Sequence, residues 1–412
     1  MTEPEKRVLI VGAGFGGIAA ALAFPRHSQG YKVTLVSSRP HFEYHPALYR
    51  VVTGRSPLEV CIPIVEVLKE RDVEFIADTI ESIDAKENLG QGRSGSRYAF
   101  DYLVLALGSQ TAYFGIPGLE KFSFGFKSIT EALRLKRHLH ELFSAASTNG
   151  ESPEETTRLL HFVVVGAGAS GVELAGELAA YAKTLAREHG VEENLVTIEL
   201  IEAAERILPA LPEYFSERVE KRLRSLGVNI FTNRAMLKER LEEINVRGMT
   251  MKTETVVWTA GVTPNTLYAR IQGLALDERG RVVVDEYLRA GGFENVFVVG
   301  DGAATPYTGM AQTAVNQGKL TARNIIRALA GEALERYAPK KPSYVIPVGP
   351  GWAAALVDGI ALYGSPGWFI RRLADLLYFL SILPAGKALS AFKNGKTLCE
   401  TCAVCTPNNI KD

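Results

Sequence analysis

Cysteine is scarce in this chain. There are four in 412 residues, and three of them fall in the last 14. That rules out a disulfide framework and points to a reduced, cytosolic setting. An excess of either charge is also missing: Lys plus Arg total 46 and Asp plus Glu total 46. Without a basic surplus, nucleic acid is not an expected partner. No uncharged apolar run reaches the roughly 18 residues that would mark a transmembrane span. The N-terminal apolar run starts at Val8 and passes into glycines, with no small-residue cleavage site, so it reads as a buried strand and not a signal peptide. Metal ligation has little support. Cys399, Cys402 and Cys405 supply three thiolates, no histidine follows His189, and a four-ligand zinc site stays incomplete. A solvated, reduced tail is the expectation there.

What the chain does have is a repeated device. "VLIVGAGFGG" (Val8 to Gly17) is a continuous apolar strand followed by Gly12, Gly14 and Gly17 at G-x-G-x-x-G spacing. The first glycine makes the tight turn. The second lets a pyrophosphate approach the backbone, and the third lets helix and strand pack closely. The helix that follows points its amides and dipole at the phosphates. The next strand, "KVTLVSS", ends on Ser37 where an acidic residue usually holds the ribose diol. "FVVVGAGASGVE" (Phe162 to Glu173) repeats the device with Gly166, Gly168 and Gly171, and its second strand ends on Glu202. A carboxylate there favours NADH and repels the 2′-phosphate of NADPH. Two dinucleotide sites in one chain imply hydride transfer between a nicotinamide and a flavin. "YLVLALGSQTAYFGIPG", "TVVWTAGVTPN" and "NVFVVGDGAATP" are further strand-to-glycine passages, carrying Gly108, Gly261 and Asp301 respectively. The helix after the last of these can stabilise negative charge at its N-terminus.

Together with "YHPALYRVVTG", "GVELAGELA", "WTAGV" and "AQTAVNQG", these passages resemble the pyridine-nucleotide–disulfide reductase fold, and within it the type II NADH dehydrogenases (NADH:quinone oxidoreductases). The resemblance runs from about Arg7 to Asn324. It implies an α/β architecture of two Rossmann-like domains. Residues 1–120 and 285–335 would form the FAD domain, 121–284 the inserted NAD(H) domain, and 336–412 a C-terminal hairpin, an amphipathic membrane or dimer segment, and the Cys-bearing tail. It implies non-covalent FAD, NADH as substrate, and ping-pong transfer to a membrane quinone without proton pumping. Asp301 would hold the ribityl–phosphate region. Ala311 and Gln312 would lie by the isoalloxazine. Phe15, Gly16, Ser38, Ile80 and Ala106 complete the flavin-side set. Gln312, Asn316 and Gln317 fall on the family's A-Q-x-x-x-Q-Q pattern at the quinone side, with Asn316 in place of the first glutamine of the final pair. Glu173 would lie near the nicotinamide.

Plainer readings stand beside these. Glu173 and Glu177 are four apart on one helix face and could be solvated. Gln312, Asn316 and Gln317 could be the polar surface of an ordinary helix, and Asp301 could cap one. Either His41 or His45 could line the flavin or be structural. The family's disulfide reductases need a redox Cys pair, yet Cys61 stands alone in "LEVCIPIVEVL", which reads as an apolar helical stretch with Cys61 in the core.

After Tyr337, "VIPVGPGWAAALVDGIALYG" reads as a hairpin turning at Asp358-Gly359. In the segment that follows, Trp368, Phe369, Leu373, Leu376, Leu377 and Leu380 share a helical face, and Arg371, Arg372 and Asp375 lie largely elsewhere. That suits an interfacial helix on the cytoplasmic face of the cell membrane, or a helix docked on a second subunit of a homodimer. A soluble NADH-dependent reductase of ferredoxin or another carrier, and an NADH-sensing flavoprotein with little turnover, are the competing functions.

Overall fold

In the computed structural model, residues 5–27, 30–148 and 152–396 are described. Cys399, Cys402 and Cys405 lie outside them. The continuous apolar run Val8–Val11 becomes the centre of a five-stranded parallel sheet, as expected of a strand covered on both faces. The strand order is Val296–Val298, Tyr102–Leu105, Lys6–Val11, Tyr31–Ser37, Val73–Ala77. Lys6–Val11 is first in sequence and central in space. The chain winds outward to Val73–Ala77 and then returns to its other side. That reversal places a crevice at the carboxyl end of Lys6–Val11, where doubly wound folds bind ligands.

A second parallel sheet has the same plan. Its order is Phe124–Gly125, Thr255–Trp258, His161–Val165, Thr197–Ile201, Val228–Phe231. Again the first long strand, His161–Val165, is flanked by its sequence neighbour on one side and a later strand on the other. Each sheet is accompanied by a three-stranded antiparallel meander: Ile80–Asp84, Leu89–Gly92 and Arg97–Ala99 with the first, Met236–Arg240, Glu243–Val246 and Met249–Lys252 with the second.

The chain divides into two units. One comprises Met1–Glu43, Cys61–Gln110 and Val262–Pro342; the other comprises Tyr44–Val60, Thr111–Gly261 and Ser343–Asp412. The first therefore takes up the return segment from Val262 onward. The second takes in the short stretch Tyr44–Val60 and the C-terminal elements.

Those elements include a third meander, Tyr344–Pro347, Ala353–Val357 and Ile360–Gly364, with Asp358 and Gly359 at its second turn. Helices Ser365–Ile382 and Ala385–Asn394 follow, separated by Pro384. The stretch around Cys61 is not helical. Cys61–Pro63 is a short strand pairing with His41–Glu43, preceded by the 3-10 turn Pro57–Glu59 and followed by the single α-helical turn Ile64–Val67, because Pro63 fixes an extended backbone before it.

Candidate functional site

The first cradle lies at the carboxyl end of Lys6–Val11. Gly12 has φ +102°, which strains any other residue, and a Cβ on it would meet the Ala106 carbonyl oxygen at 2.3 Å. A Cβ on Gly17 would lie 1.9 Å from the Gly12 carbonyl oxygen, so helix Phe15–Ala23 can approach its strand only with glycine there. Gly14 differs: a Cβ on it would meet nothing within 4 Å. Protein packing therefore leaves that position open, on the side where a pyrophosphate approaches. No side chain caps the helix, and its first turn carries no acidic residue. A helix start of this kind suits an anionic ligand. Gly16 is buried and faces Val299, with its carbonyl oxygen close against Gly318.

Ser37, half-buried, ends the second strand, and Ser38 beyond it is exposed. Ala106 is buried and donates its amide to the Val11 carbonyl at 2.8 Å. Ile80 belongs to the apolar core of the first unit. Phe15 packs edge-on against Phe42, centroids 5.0 Å apart. Gly108, with φ +66°, accepts from the Asn265 amide at 3.1 Å. Asp301 sits in the short turn Gly300–Gly302 and accepts a hydrogen bond from the Ser109 hydroxyl. His41 lies 3.3 Å from the Glu43 carboxylate, and His45 is exposed.

Helix Ala311–Leu329 divides the three amide residues of its first turns. Gln312 and Asn316, four apart, are both exposed, and Ala311 is half-buried at the helix start. Gln317 is fully buried. Its side-chain oxygen accepts from the Gly300 amide and its nitrogen donates to the Thr305 hydroxyl, both at 2.7 Å. Gln317 thus clamps the turn that carries Asp301, and its amide is engaged within the unit.

The second cradle repeats the first. Gly166 has φ +104°, a Cβ on Gly171 would lie 1.9 Å from the Gly166 carbonyl oxygen, and a Cβ on Gly168 would meet nothing within 4 Å. Helix Ala169–His189 again starts with no side-chain cap and no acid in its first turn. Glu202 closes the turn. Its two oxygens accept from the Ala167 and Ala204 amides at 2.7 and 2.9 Å. Each carboxylate oxygen retains a lone pair for a ribose hydroxyl. Gly261 is held against the Phe114 ring, which a Cβ would meet at 2.3 Å. Both sets of residues fit dinucleotides.

Glu173 and Glu177 are half-buried on Ala169–His189 and are not a solvated face. Desolvation pushes both carboxyls up to about 7, against the pull of nearby guanidinium groups, first Arg371 for Glu173 and Arg50 for Glu177. Those arginines belong to a buried cluster that sequence reasoning missed. Arg50 reaches Glu59 at 2.7 Å and Asp375 at 3.0 Å, and Arg372 reaches Glu59 at 2.9 Å. Tyr44 donates to Asp375 at 2.8 Å, and Arg371 pairs with Asp375 at 3.3 Å. Arg371, Arg372 and Asp375 thus face inward, not toward a membrane surface. The exposed side of the helix is apolar: Phe369, Leu373, Leu377 and Leu380. Trp368 and Leu376 are half-buried. Among the described residues, no helix is long and apolar enough to cross a membrane. Cys61 is half-buried, and burial with the Glu43 carboxylate pushes its thiol up to about 12, unlike a reactive thiol.

Two doubly wound units, each with an open glycine turn beneath an uncapped helix start, define a protein built to hold two dinucleotides. The sequence pattern of the pyridine nucleotide-disulphide oxidoreductases matches residues 6–318, and the chain belongs to that family. It is a flavin-dependent oxidoreductase, with FAD as cofactor and a pyridine nucleotide as its second dinucleotide. Over 411 residues it is 29% identical to the type II NADH:quinone oxidoreductase of Staphylococcus aureus, covering 96% of this chain and all of that one. In fold it is similar to NDH2 from Plasmodium falciparum in complex with NADH, with a TM-score of 0.85, 18% identity, and coverage of 95% and 98% of the two chains. It is also similar in fold to the sulfide:quinone oxidoreductase of Aquifex aeolicus, with a TM-score of 0.75, 21% identity, and coverage of 95% and 92%.

Proposed function

We propose that this chain is a type II NADH:quinone oxidoreductase. The observation that carries the reading is the pair of open cradles combined with end-to-end similarity to the Staphylococcus aureus enzyme, whose whole length the chain spans. In the proposal, the first unit holds FAD and the second holds NADH. Bound FAD supplies a two-electron acceptor that NADH can fill and a quinone can empty. Turnover is ping-pong and is not coupled to proton pumping.

The chain's own residues do the rest. The Gly12–Gly17 turn and the leading amides of Phe15–Ala23 bind the FAD pyrophosphate, and Asp301 accepts from the ribityl hydroxyls. Gln317 positions Asp301 by holding the Gly300 amide. The Gly166–Gly171 turn binds the NADH pyrophosphate, and Glu202 binds its adenosine ribose. Glu173 lies toward the nicotinamide end of that cradle. Gln312 and Asn316 present their amides on one helix face to the quinone oxygens, where charge grows on reduction, without placing a fixed charge there. The outward apolar face of Ser365–Ile382 attaches the protein peripherally to the cytoplasmic side of the membrane or joins it to a second copy.

Steady-state NADH oxidation decides between this and a carrier-protein reductase. A short-chain quinone should be reduced far faster than ferredoxin, and stopped-flow should resolve two half-reactions. Preference for the protein carrier, or turnover below about one per second with every acceptor, overturns the proposal.

A further inference from the structure

The adenosine end of the first cradle lacks its usual carboxylate, since Ser37 occupies that place. The next strand of the same sheet carries one. Gly12, Ser37 and Asp78 follow one another along the carboxyl edge of neighbouring strands: the Gly12 amide donates to the Val36 carbonyl at 2.8 Å, and the Asp78 amide to the Ser37 carbonyl at 3.0 Å. In a doubly wound unit the pyrophosphate sits on the first of these strand ends and the adenosine extends toward the second. The segment Asp78–Ile80 therefore walls the adenosine end.

Asp78 is not free to bind a ribose. Its carboxylate is buried and already accepts four donors: Ser94 Oγ at 2.6 Å, Tyr98 OH at 2.7 Å, and the Thr79 and Ser94 amides at 2.7 and 3.2 Å. The Ser94 and Tyr98 hydroxyl bonds hold the Asp78 carboxyl at about 2, against desolvation. The neighbouring strand keeps room for it, because a Cβ on Gly92 would lie 1.9 Å from Asp78 Oδ2 and 2.9 Å from the Tyr98 ring. The meander Ile80–Asp84, Leu89–Gly92, Arg97–Ala99 thus cages a carboxylate at the base of the segment that follows the third strand of the sheet. Apart from the Thr79 amide, the donors of this cage are 16 to 20 residues away in sequence, so the local chain alone does not require it.

We propose that Asp78 is a positioning residue for FAD: caged by Ser94, Tyr98 and two backbone amides, it fixes the Asp78–Ile80 wall and so sets affinity for the adenosine half of the cofactor. This rests on the assignment of FAD to the first cradle. It means that affinity lost through Ser37 at the ribose is offset by rigidity at the neighbouring strand end.

The test compares cofactors. The full-length apoprotein of wild type, Asp78→Asn, Ser94→Ala and Tyr98→Phe is titrated with FAD and with FMN, which lacks the adenosine, and each holoprotein is titrated with NADH. Asp78→Asn should weaken FAD about tenfold or more, as expected for losing charge-assisted bonds. The two milder variants should weaken it less, and FMN and NADH affinities should stay within about twofold of wild type. Unchanged FAD affinity in Asp78→Asn overturns the assignment, and so does a parallel fall in FMN and NADH affinity, which marks general loss of structure. Wild type that binds no FAD overturns the functional proposal as well.

Discussion

Arg50 and Asp375 form a 3.0 Å ion pair across 325 residues of sequence, with both side chains almost wholly inside the second unit. Asp375 also accepts from Tyr44 and pairs with Arg371, so one carboxylate holds three elements at once. Burial alone would raise its carboxyl, yet the surrounding guanidinium groups, Arg371 foremost, hold it below the usual range. Asp375→Ala takes the carboxylate from Arg371 and leaves Arg50 and Arg372 sharing Glu59, and should cost about 3–5 kcal/mol, read as a lower urea midpoint. Because the carboxyl is depressed, its contribution is present at neutral pH and is lost as pH falls through the folded-state value. The gap between wild type and Asp375→Ala should therefore narrow in acid.

Glu173 and Glu177 carry the opposite sign. Their folded carboxyls titrate near 7, above the unfolded range near 4.5. The folded state binds the extra protons, so each group costs stability as pH rises from about 4.5 to 7, and the cost is complete above 7. Glu177→Gln removes that cost. It should stabilise the protein by about 1–3 kcal/mol at pH 8 and by clearly less at pH 5. Equal stabilisation at both pH values in chemical denaturation counts against the burial argument.

The cradles were legible because their causes are local. Gly17 is required by the Gly12 carbonyl five residues before it and Gly12 by its own φ of +102°, although the Ala106 carbonyl that also excludes a side chain at Gly12 is distant in sequence, and the apolar run before them shows on its own that both faces are covered. The ion cluster was not. Periodicity shows that Arg371, Arg372 and Asp375 share a side of their helix, but not that the side faces inward. Their partners Arg50, Glu59 and Tyr44 are more than 300 residues away. Gln317 shows the same limit at shorter range. It directly follows Asn316, and that single-residue step of about 100° turns it from solvent to the buried Gly300 amide.

Nucleotide choice should follow from Glu202. Its carboxylate would meet the 2′-phosphate of NADPH with like charge, so NADH should be preferred. Glu202→Ala also frees the Ala167 and Ala204 amides. The variant should therefore lose efficiency with NADH while the NADH-to-NADPH ratio of kcat/KM falls about tenfold or more. A ratio that does not move places the ribose elsewhere.

The amide residues of Ala311–Leu329 should separate by face. Asn316→Ala removes an exposed amide and should raise the quinone KM several-fold while flavin reduction by NADH stays at the wild-type rate. Gln317→Ala leaves the buried Gly300 amide without its acceptor, at a cost of about 1–3 kcal/mol. That variant should show weaker FAD retention and lower thermal stability, neither of which Asn316→Ala should show. Slow flavin reoxidation by quinone with normal stability in Gln317→Ala would instead place its side chain at the acceptor.

The outward face of Ser365–Ile382 gives the last test. Phe369, Leu373, Leu377 and Leu380 are 69%, 42%, 57% and 42% exposed on a helix whose charged side is tied down inside the unit. Exposing four large apolar side chains in a row is costly in water and favourable at a lipid interface. Replacing Leu373 and Leu377 by Asn leaves Arg371, Arg372 and Asp375 untouched, so the unit should fold and keep its flavin. Each lost leucine removes about 1.5 kcal/mol or more of interfacial burial. Together they should shift vesicle partitioning about a hundredfold toward the soluble fraction. Activity with a short-chain quinone should survive, and activity with a long-chain quinone held in the bilayer should fall. If partitioning is unchanged while a dimer becomes a monomer in sedimentation, the face is a subunit contact and membrane attachment lies elsewhere.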